Sequence, residues 1–251
     1  MATDEMSSKP LIKFEKVGKW FADGERRSWA LKDVDFEVFP GEFFILVGPS
    51  GSGKSTILRI LSGLDAPSSG RVVFADDRKP KIAFVFQNFA LFPWLTVFEN
   101  VEFGLKMEGV PAKERRRRVA AQIEMIGLNK FGNYYPRELS GGMKQRVGIA
   151  RALVVNPQVI LMDEPFSELD SFTAKNLRKE LLEIWQKRGL TVVMVSHLIE
   201  EAVELGDRIA ILSPGPAAVE KIIPNGLPRP RDRRAPAFFK IEDETETILK
   251  F

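Results

Sequence analysis

Phe43-Phe44-Ile45-Leu46-Val47-Gly48-Pro49-Ser50-Gly51-Ser52-Gly53-Lys54-Ser55-Thr56 joins an unbroken apolar run to a glycine-rich turn and then to a helical pattern. An apolar run without alternation marks a strand covered on both faces. Residues 48–55 match the phosphate-loop pattern, and they stand where that pattern has a mechanism, between a buried strand and a helix. Glycines let successive backbone N–H groups wrap an anion, and the helix N-terminus adds positive potential. Lys54 is placed for the β- and γ-phosphates of a nucleotide and Ser55 for Mg²⁺, with Thr56 near the α-phosphate.

Outward from this stretch, Ile57, Leu58, Leu61 and Leu64 form one stripe of the following helix. Upstream, Ile12 and Phe14, then Val34, Phe36 and Val38, alternate with charged residues, the pattern of half-exposed antiparallel strands. Downstream, 72–74 and 82–86 read as strands, and 159–162 and 191–195 as central parallel strands. Leu177, Leu181, Ile184 and Trp185 repeat at helical spacing between those two. This alternation predicts an α/β fold with a largely parallel sheet. Residues from about 87 to 146 interrupt it. Thr96 and Glu99 form a capping-box pattern ahead of Val97, Val101 and Leu105. Gly109-Val110-Pro111 ends that helix, and a second runs from 113 to about 126. Its basic run, 115–118, reads as a solvated helix face, with a polyanion contact as the alternative. From 227 the chain is rich in Pro and Arg, then acidic, and reads as a loosely packed appendage.

Composition narrows the class. The 251 residues are 44% hydrophobic and 28% charged, the balance of a globular protein rather than a disordered one. Lys+Arg 37 against Asp+Glu 34 leaves +3, too small an excess to imply a nucleic-acid partner. With Cys 0, disulfides, thiolate metal sites and a Cys nucleophile are excluded, and a cytosolic setting fits. No apolar run approaches the ~18 residues that cross a bilayer. The start, Met1-Ala2-Thr3-Asp4-Glu5, is polar and acidic, unlike a secretory leader or a myristoylation site.

A phosphate loop alone leaves kinase, GTPase and transport ATPase open. Asp163-Glu164 closes the apolar run 159–162. A carboxylate at the C-terminal end of a central strand faces the ligand crevice and can hold Mg²⁺ through water. A second one beside it can act as general base toward an attacking water. Ser140-Gly141-Gly142, opening a helix with Val147, Ile149, Ala150 and Leu153, is another candidate anion site.

Leu139-Ser140-Gly141-Gly142 resembles the signature of ATP-binding cassette (ABC) transporter ATPases, in which two subunits clamp two ATP molecules head to tail. Other pieces stand in matching order. Gln87, after the strand ending at Phe86, resembles the Q-loop glutamine; Ser167-Glu168-Leu169-Asp170 resembles the D-loop; His197, the only His, resembles the switch histidine. Phe21, with Trp20 as the fallback, is similar to the aromatic that stacks on adenine. The resemblance implies a P-loop NTPase (RecA-like) core with an N-terminal antiparallel β-subdomain (about 1–86 and 147–226), an inserted α-helical subdomain (about 87–146) and a short tail (227–251). It implies ATP and Mg²⁺ as cofactors. Gly48, Pro49, Ser50, Gly51, Ser52, Gly53, Lys54, Ser55 and Thr56 then hold the nucleotide of one copy, and Ser140, Gly141, Gly142 and Asp170 that of the other. Ser55, Gln87 and Asp163 hold the metal. Glu164, Gln87 and His197 serve catalysis.

A narrower resemblance, to the nitrate/sulfonate/taurine importer branch, rests on 91–101, on Met162-Asp163-Glu164-Pro165-Phe166 and on Leu227-Pro228-Arg229-Pro230-Arg231-Asp232-Arg233. Met143 in the signature is also usual there. Glu168 and Leu198 depart from that branch, where Ala and Asp are common, and 75–81 is short. The branch implies a homodimer at the cytoplasmic face of the inner membrane, transmembrane permease subunits, and an extracytoplasmic solute-binding protein. Phe89, Leu91, Phe92, Pro93, Trp94 and Leu95 serve equally as core or as a docking groove for a permease. Rival readings are a soluble ABC ATPase working on nucleic acid or ribosomes, a non-catalytic cassette, and an exporter subunit. The first usually carries two cassettes or a long coiled coil, and neither is present.

Overall fold

Residues that alternate in the sequence bury alternate side chains when their strands pair. β1 (Ile12–Asp23) lies antiparallel to β2 (Arg26–Val38), with Ile12 opposite Val38 and Phe14 opposite Phe36. Ile12, Phe14, Val17, Val34, Phe36 and Val38 are buried. The structure is a computed structural model describing residues 9–24 and 26–249, so the acidic start at 1–5 lies outside the described residues. The chain divides into two compact units. One takes residues through Pro80 and from Gly189 onward; the other is Lys81–Arg188.

In the first unit, β4 (Ser69–Phe74) joins the other edge of β1, giving an antiparallel sheet ordered β2-β1-β4. A second sheet is built on β3 (Phe43–Val47), buried at every residue as its unbroken apolar run predicts. It is flanked in parallel by β7 (Thr191–Ser196) and β8 (Arg208–Leu212). β9 (Val219–Pro224) adds antiparallel to β8; neither β8 nor β9 stood out from the sequence. Helix α1 (Lys54–Ser62) buries Ile57, Leu58 and Leu61. It stops at Gly63, whose φ of 83° closes the last turn, so Leu64 falls beyond the helix and is exposed rather than part of the stripe. The expected loose appendage is instead ordered. It contains α7 (Pro236–Leu249), with Phe238 buried on it and Lys221 of β9 paired to Glu244.

In the second unit, β5 (Ile82–Val85) and β6 (Val159–Asp163) pair in parallel. α2 (Val97–Met107) opens with the expected capping box. Thr96 Oγ1 accepts from the Glu99 N–H, and the Glu99 carboxylate accepts from the Thr96 N–H. α3 (Ala112–Met125) follows Pro111. Val101, Leu105, Val119, Ile123, Val147 and Ala150 form a common core with α4 (Gly141–Leu153). Arg115 pairs with Glu102, while Arg117 and Arg118 both pair with Glu114, so three arginines of the basic run have partners along its own surface. α5 (Ser171–Arg188) buries Leu177, Leu181 and Trp185. The helical segment read at 87–146 thus sits in a unit that also holds β5, β6 and α5.

Candidate functional site

The phosphate loop is shaped by its glycines. Gly51 and Gly53 sit at φ 78° and 74°, left-handed values that favour glycine. A Cβ on Gly53 would lie 2.6 Å from Leu31 Cδ2 and 3.1 Å from the Ala30 carbonyl oxygen. Gly53 also caps α1 without a side-chain acceptor, and no acidic residue stands in the first turn. The helix N-terminus therefore keeps its positive end for an outside anion. Lys54 Nζ folds back onto the Gly48 and Pro49 carbonyls at 2.8 and 2.9 Å. Ser52 is 1% exposed, and its buried Oγ has no hydrogen-bond partner. A buried donor left this way costs about 1–3 kcal/mol, and an anion in the loop offers the acceptor it lacks. These features fit a nucleotide's phosphates.

His197 leaves the sheet beside this loop. In the β3–β7 register Val47 lies opposite Ser196, so Gly48 and His197 are the next residues at the C-terminal ends of neighbouring strands. Ser196 Oγ, buried, donates to the Glu201 carboxylate at 2.8 Å and accepts from the Leu198 N–H at 3.1 Å. That turn starts α6 (Ile199–Leu205) directly after the histidine. On β1, the Phe21 ring is 47% exposed, with Lys19 Nζ 5.2 Å from its centroid. The Trp20 ring is covered by the Arg27 guanidinium at 4.3 Å. Phe21 therefore presents the more open aromatic face.

In the second unit the structure gathers residues whose stretches resemble the Q-loop, signature and D-loop. Gln87 Nε2 reaches Glu164 Oε2 at 3.5 Å, a long contact. Asp163 ends β6, and Glu164 follows at φ 44°, a conformation costly for a non-glycine residue and concentrated at functional sites. Ser167 braces that turn, its N–H and Oγ both donating to the Glu164 carbonyl. Ser140 caps α4, accepting from the Met143 N–H at 3.3 Å. A Cβ on Gly141 would meet Leu169 Cδ2 at 3.5 Å and the Glu168 carbonyl at 3.6 Å, and one on Gly142 would lie 2.5 Å from Thr173 Cγ2. The signature glycines are thus packed under the D-loop and the start of α5. Within the chain Asp170 accepts from the Phe172 and Thr173 N–H groups, which hold its carboxyl below the ordinary aspartate range.

Arg151 escaped the sequence reading. It donates to the carbonyls of Phe89 and Ala90, both in left-handed conformations, at 3.0 and 2.7 Å, and lies over the Phe92 ring. Burial pulls its guanidinium below the usual arginine range. It fixes the segment after Gln87 to the signature helix. Its only sequence signal was a charge among the buried residues of α4. In the same segment Trp94 is 69% exposed.

Among the described residues no cluster of three or more Asp, Glu or His stands ready to hold a metal. Mg²⁺ in nucleotide sites is commonly held by one hydroxyl, one or two carboxylates and the phosphates themselves, so Ser55 and Asp163 supply suitable donor types.

Similarity to known proteins agrees with this chemistry. The family model described as ABC transporter matches residues 31–167. An uncharacterized ABC transporter ATP-binding protein of Methanocaldococcus jannaschii, MJ0412, is 43% identical over 98% of this chain and 93% of its own. The nitrate import ATP-binding protein NrtD of Synechocystis is 44% identical over 88% of each chain. The aliphatic sulfonates import ATP-binding protein SsuB of Bacillus subtilis is 44% identical over 88% of this chain and 87% of its own. A dimeric, post-hydrolysis structure of the ATP-binding cassette MJ0796 with ADP and Pi superposes with TM-score 0.77 at 39% identity, covering 88% of this chain and all of that one. On these similarities the chain belongs to the ABC transporter family, as an ATP-hydrolysing cassette.

Proposed function

We propose that this cassette energises an importer for a small anionic solute of the nitrate, sulfonate or taurine type. It works as a homodimer on transmembrane permease subunits at the cytoplasmic face of the cell membrane, and an extracytoplasmic solute-binding protein delivers solute to the permease. The observation that carries this reading is kinship over most of the chain with nitrate and aliphatic-sulfonate import ATP-binding proteins. Among the described residues no helix is long and apolar enough to cross a membrane.

In the catalytic cycle Lys54 and the N–H groups of the phosphate loop bind the β- and γ-phosphates, and Phe21 stacks on the base. Ser55, Asp163 and Gln87 would hold Mg²⁺, which would supply positive charge to neutralise the phosphates. Glu164 takes a proton from the attacking water, and His197 donates to the γ-phosphate as charge develops there. Ser140, Gly141 and Gly142 of the second copy offer the end of a helix to the same phosphate, with Asp170 beside them. Gln87, Phe92 and Trp94, held to the signature helix through Arg151, form the surface through which the cassette moves its permease.

The test is growth of a deletion strain with taurine, an alkanesulfonate or nitrate as the single sulfur or nitrogen source. A defect on one source, rescued by the wild-type gene and not by Glu164→Gln, is the expected result. Equal rescue by the Glu164→Gln gene would refute ATP coupling through this residue.

A further inference from the structure

The C-terminal run Leu227-Pro228-Arg229-Pro230-Arg231-Asp232-Arg233 does nothing in the cycle above, yet Arg229, Arg231 and Arg233 each make two or more side-chain bonds. Their partner is α6, a helix of seven residues that begins two positions after His197. So short a helix has little stability of its own, and its last carbonyls have no partner within it. Arg231 supplies one. Its side chain is 1% exposed. Nη1 donates to the Val203 and Gly206 carbonyls at 2.7 and 2.6 Å, and to Glu204 at 3.2 Å. Nη2 and Nε reach the carbonyls of Asn225 and Leu227 at 3.1 and 3.2 Å.

Arg229 completes the set, giving one nitrogen to the Leu205 carbonyl and another to Asp207, each at 2.5 Å. Asn225 adds a third donor, to Val203. On the outer face Arg233 pairs with both Glu200 and Glu204, one helical turn apart. A cation at a helix C-terminus is electrostatically well placed. A planar fork surrounded by carbonyls is something only arginine supplies.

The opposite end of α6 faces the phosphate loop's neighbour. Its buried Glu201 accepts from Ser196 Oγ, the residue before His197, and Ser196 Oγ in turn accepts from the Leu198 N–H. His197 is therefore suspended between the end of β7 and a helix whose position is set from its far end.

We infer that residues 229–233 form a strap that fixes α6 and thereby positions His197, with Arg231 the principal positioning residue. The inference rests on the proposed role of His197 toward the γ-phosphate. Arg231 touches neither substrate nor metal; it sets where the histidine stands when nucleotide is bound. Losing it lets α6 slide or fray. Turnover then falls while nucleotide capture, which depends on the phosphate loop, persists.

The experiment uses full-length Arg231→Ala, Arg231→Lys, His197→Ala and the His197→Ala/Arg231→Ala double variant. Measured are kcat and KM for ATP, ADP affinity and amide hydrogen exchange. Arg231→Ala is expected to lower kcat about tenfold or more with KM and ADP affinity within about twofold, the pattern of an interaction needed in the transition state. Exchange speeds up across 197–206 and stays unchanged in α1. Arg231→Lys, with charge but no fork, recovers only part of kcat. The double variant is no slower than His197→Ala, because both changes remove one function.

Faster exchange with wild-type kcat overturns the inference and leaves the strap a purely structural brace. Unchanged exchange overturns it too, as does a double variant slowed by the product of the single effects. Wild-type kcat in His197→Ala removes the histidine's proposed role and the route through it, while the exchange result still decides whether the strap holds α6. Should Arg231→Ala fail to fold, Glu200→Gln/Glu204→Gln loosens the same helix from Arg233 and is read by the same criteria.

Discussion

At the scale of single residues, Glu164 and Lys54 carry the clearest expectations. Glu164 stands in a strained turn, and such strain persists only where the surroundings enforce it. Replacing its carboxylate by an amide keeps the size and removes the base, so Glu164→Gln is expected to lower kcat by about 10²–10⁴ with ATP affinity retained, as read by steady-state turnover beside equilibrium binding. Lys54→Ala should instead weaken nucleotide binding itself, because it removes the cation from the phosphate cradle. A Lys54→Ala protein that bound ATP as tightly as wild type would contradict the cradle. The phosphate loop was legible in the sequence because left-handed positions and close approach leave little choice but glycine. Arg151 and Arg231 were not legible, since their meaning lies in carbonyls far along the chain, and a carbonyl has no letter in the sequence.

At the scale of elements, local rules worked where an element is closed by its neighbours in sequence. The Thr96–Glu99 box is such a case, and Thr96→Ala is expected to cost about 1 kcal/mol in chemical denaturation. The Thr96 donors hold the Glu99 carboxyl below its ordinary 4.5. A depressed carboxylate favours the fold above the ordinary value and loses that contribution as pH falls through 4.5 and below. The difference between wild type and Thr96→Ala should therefore shrink on acidification, measured as denaturation midpoints from pH 7 to pH 3. The tail failed the same local reading. Its composition of Pro, Arg and acidic residues resembles a flexible segment, yet Phe238 is 1% exposed. Phe238→Ala should cost about 3 kcal/mol, whereas a truly loose tail would lose nothing.

Across the whole molecule, the uninterrupted strands β3, β6 and β7 read correctly because burial on both faces needs no partner to be recognised, and β1, β2, β4 and β5 also stand where the sequence placed strands. β8 and β9 follow a short helix and a turn with weaker patterns, and only pairing defines them. The helical segment read at 87–146 falls within the unit Lys81–Arg188, which also holds β5, β6 and α5. At this scale the expectation concerns association. Glu164→Gln with MgATP should sediment as a dimer, and Ser140→Arg in that background as a monomer, since a bulky cation would replace the hydroxyl that opens α4. A dimer that persisted unchanged in the Ser140→Arg variant would place the contact elsewhere on the surface.

The dependence of α6 on the segment from Asn225 to Arg233 also bears on biosynthesis. While the chain is being made, the helix after His197 emerges from the ribosome with its terminal carbonyls open, and it stays so until the arginines follow. The nascent cassette thus gains its phosphate cradle well before the support behind its histidine. A chain interrupted before Arg229 would carry the means to hold nucleotide without the brace behind His197, so the order of synthesis itself delays turnover until the arginines have been added.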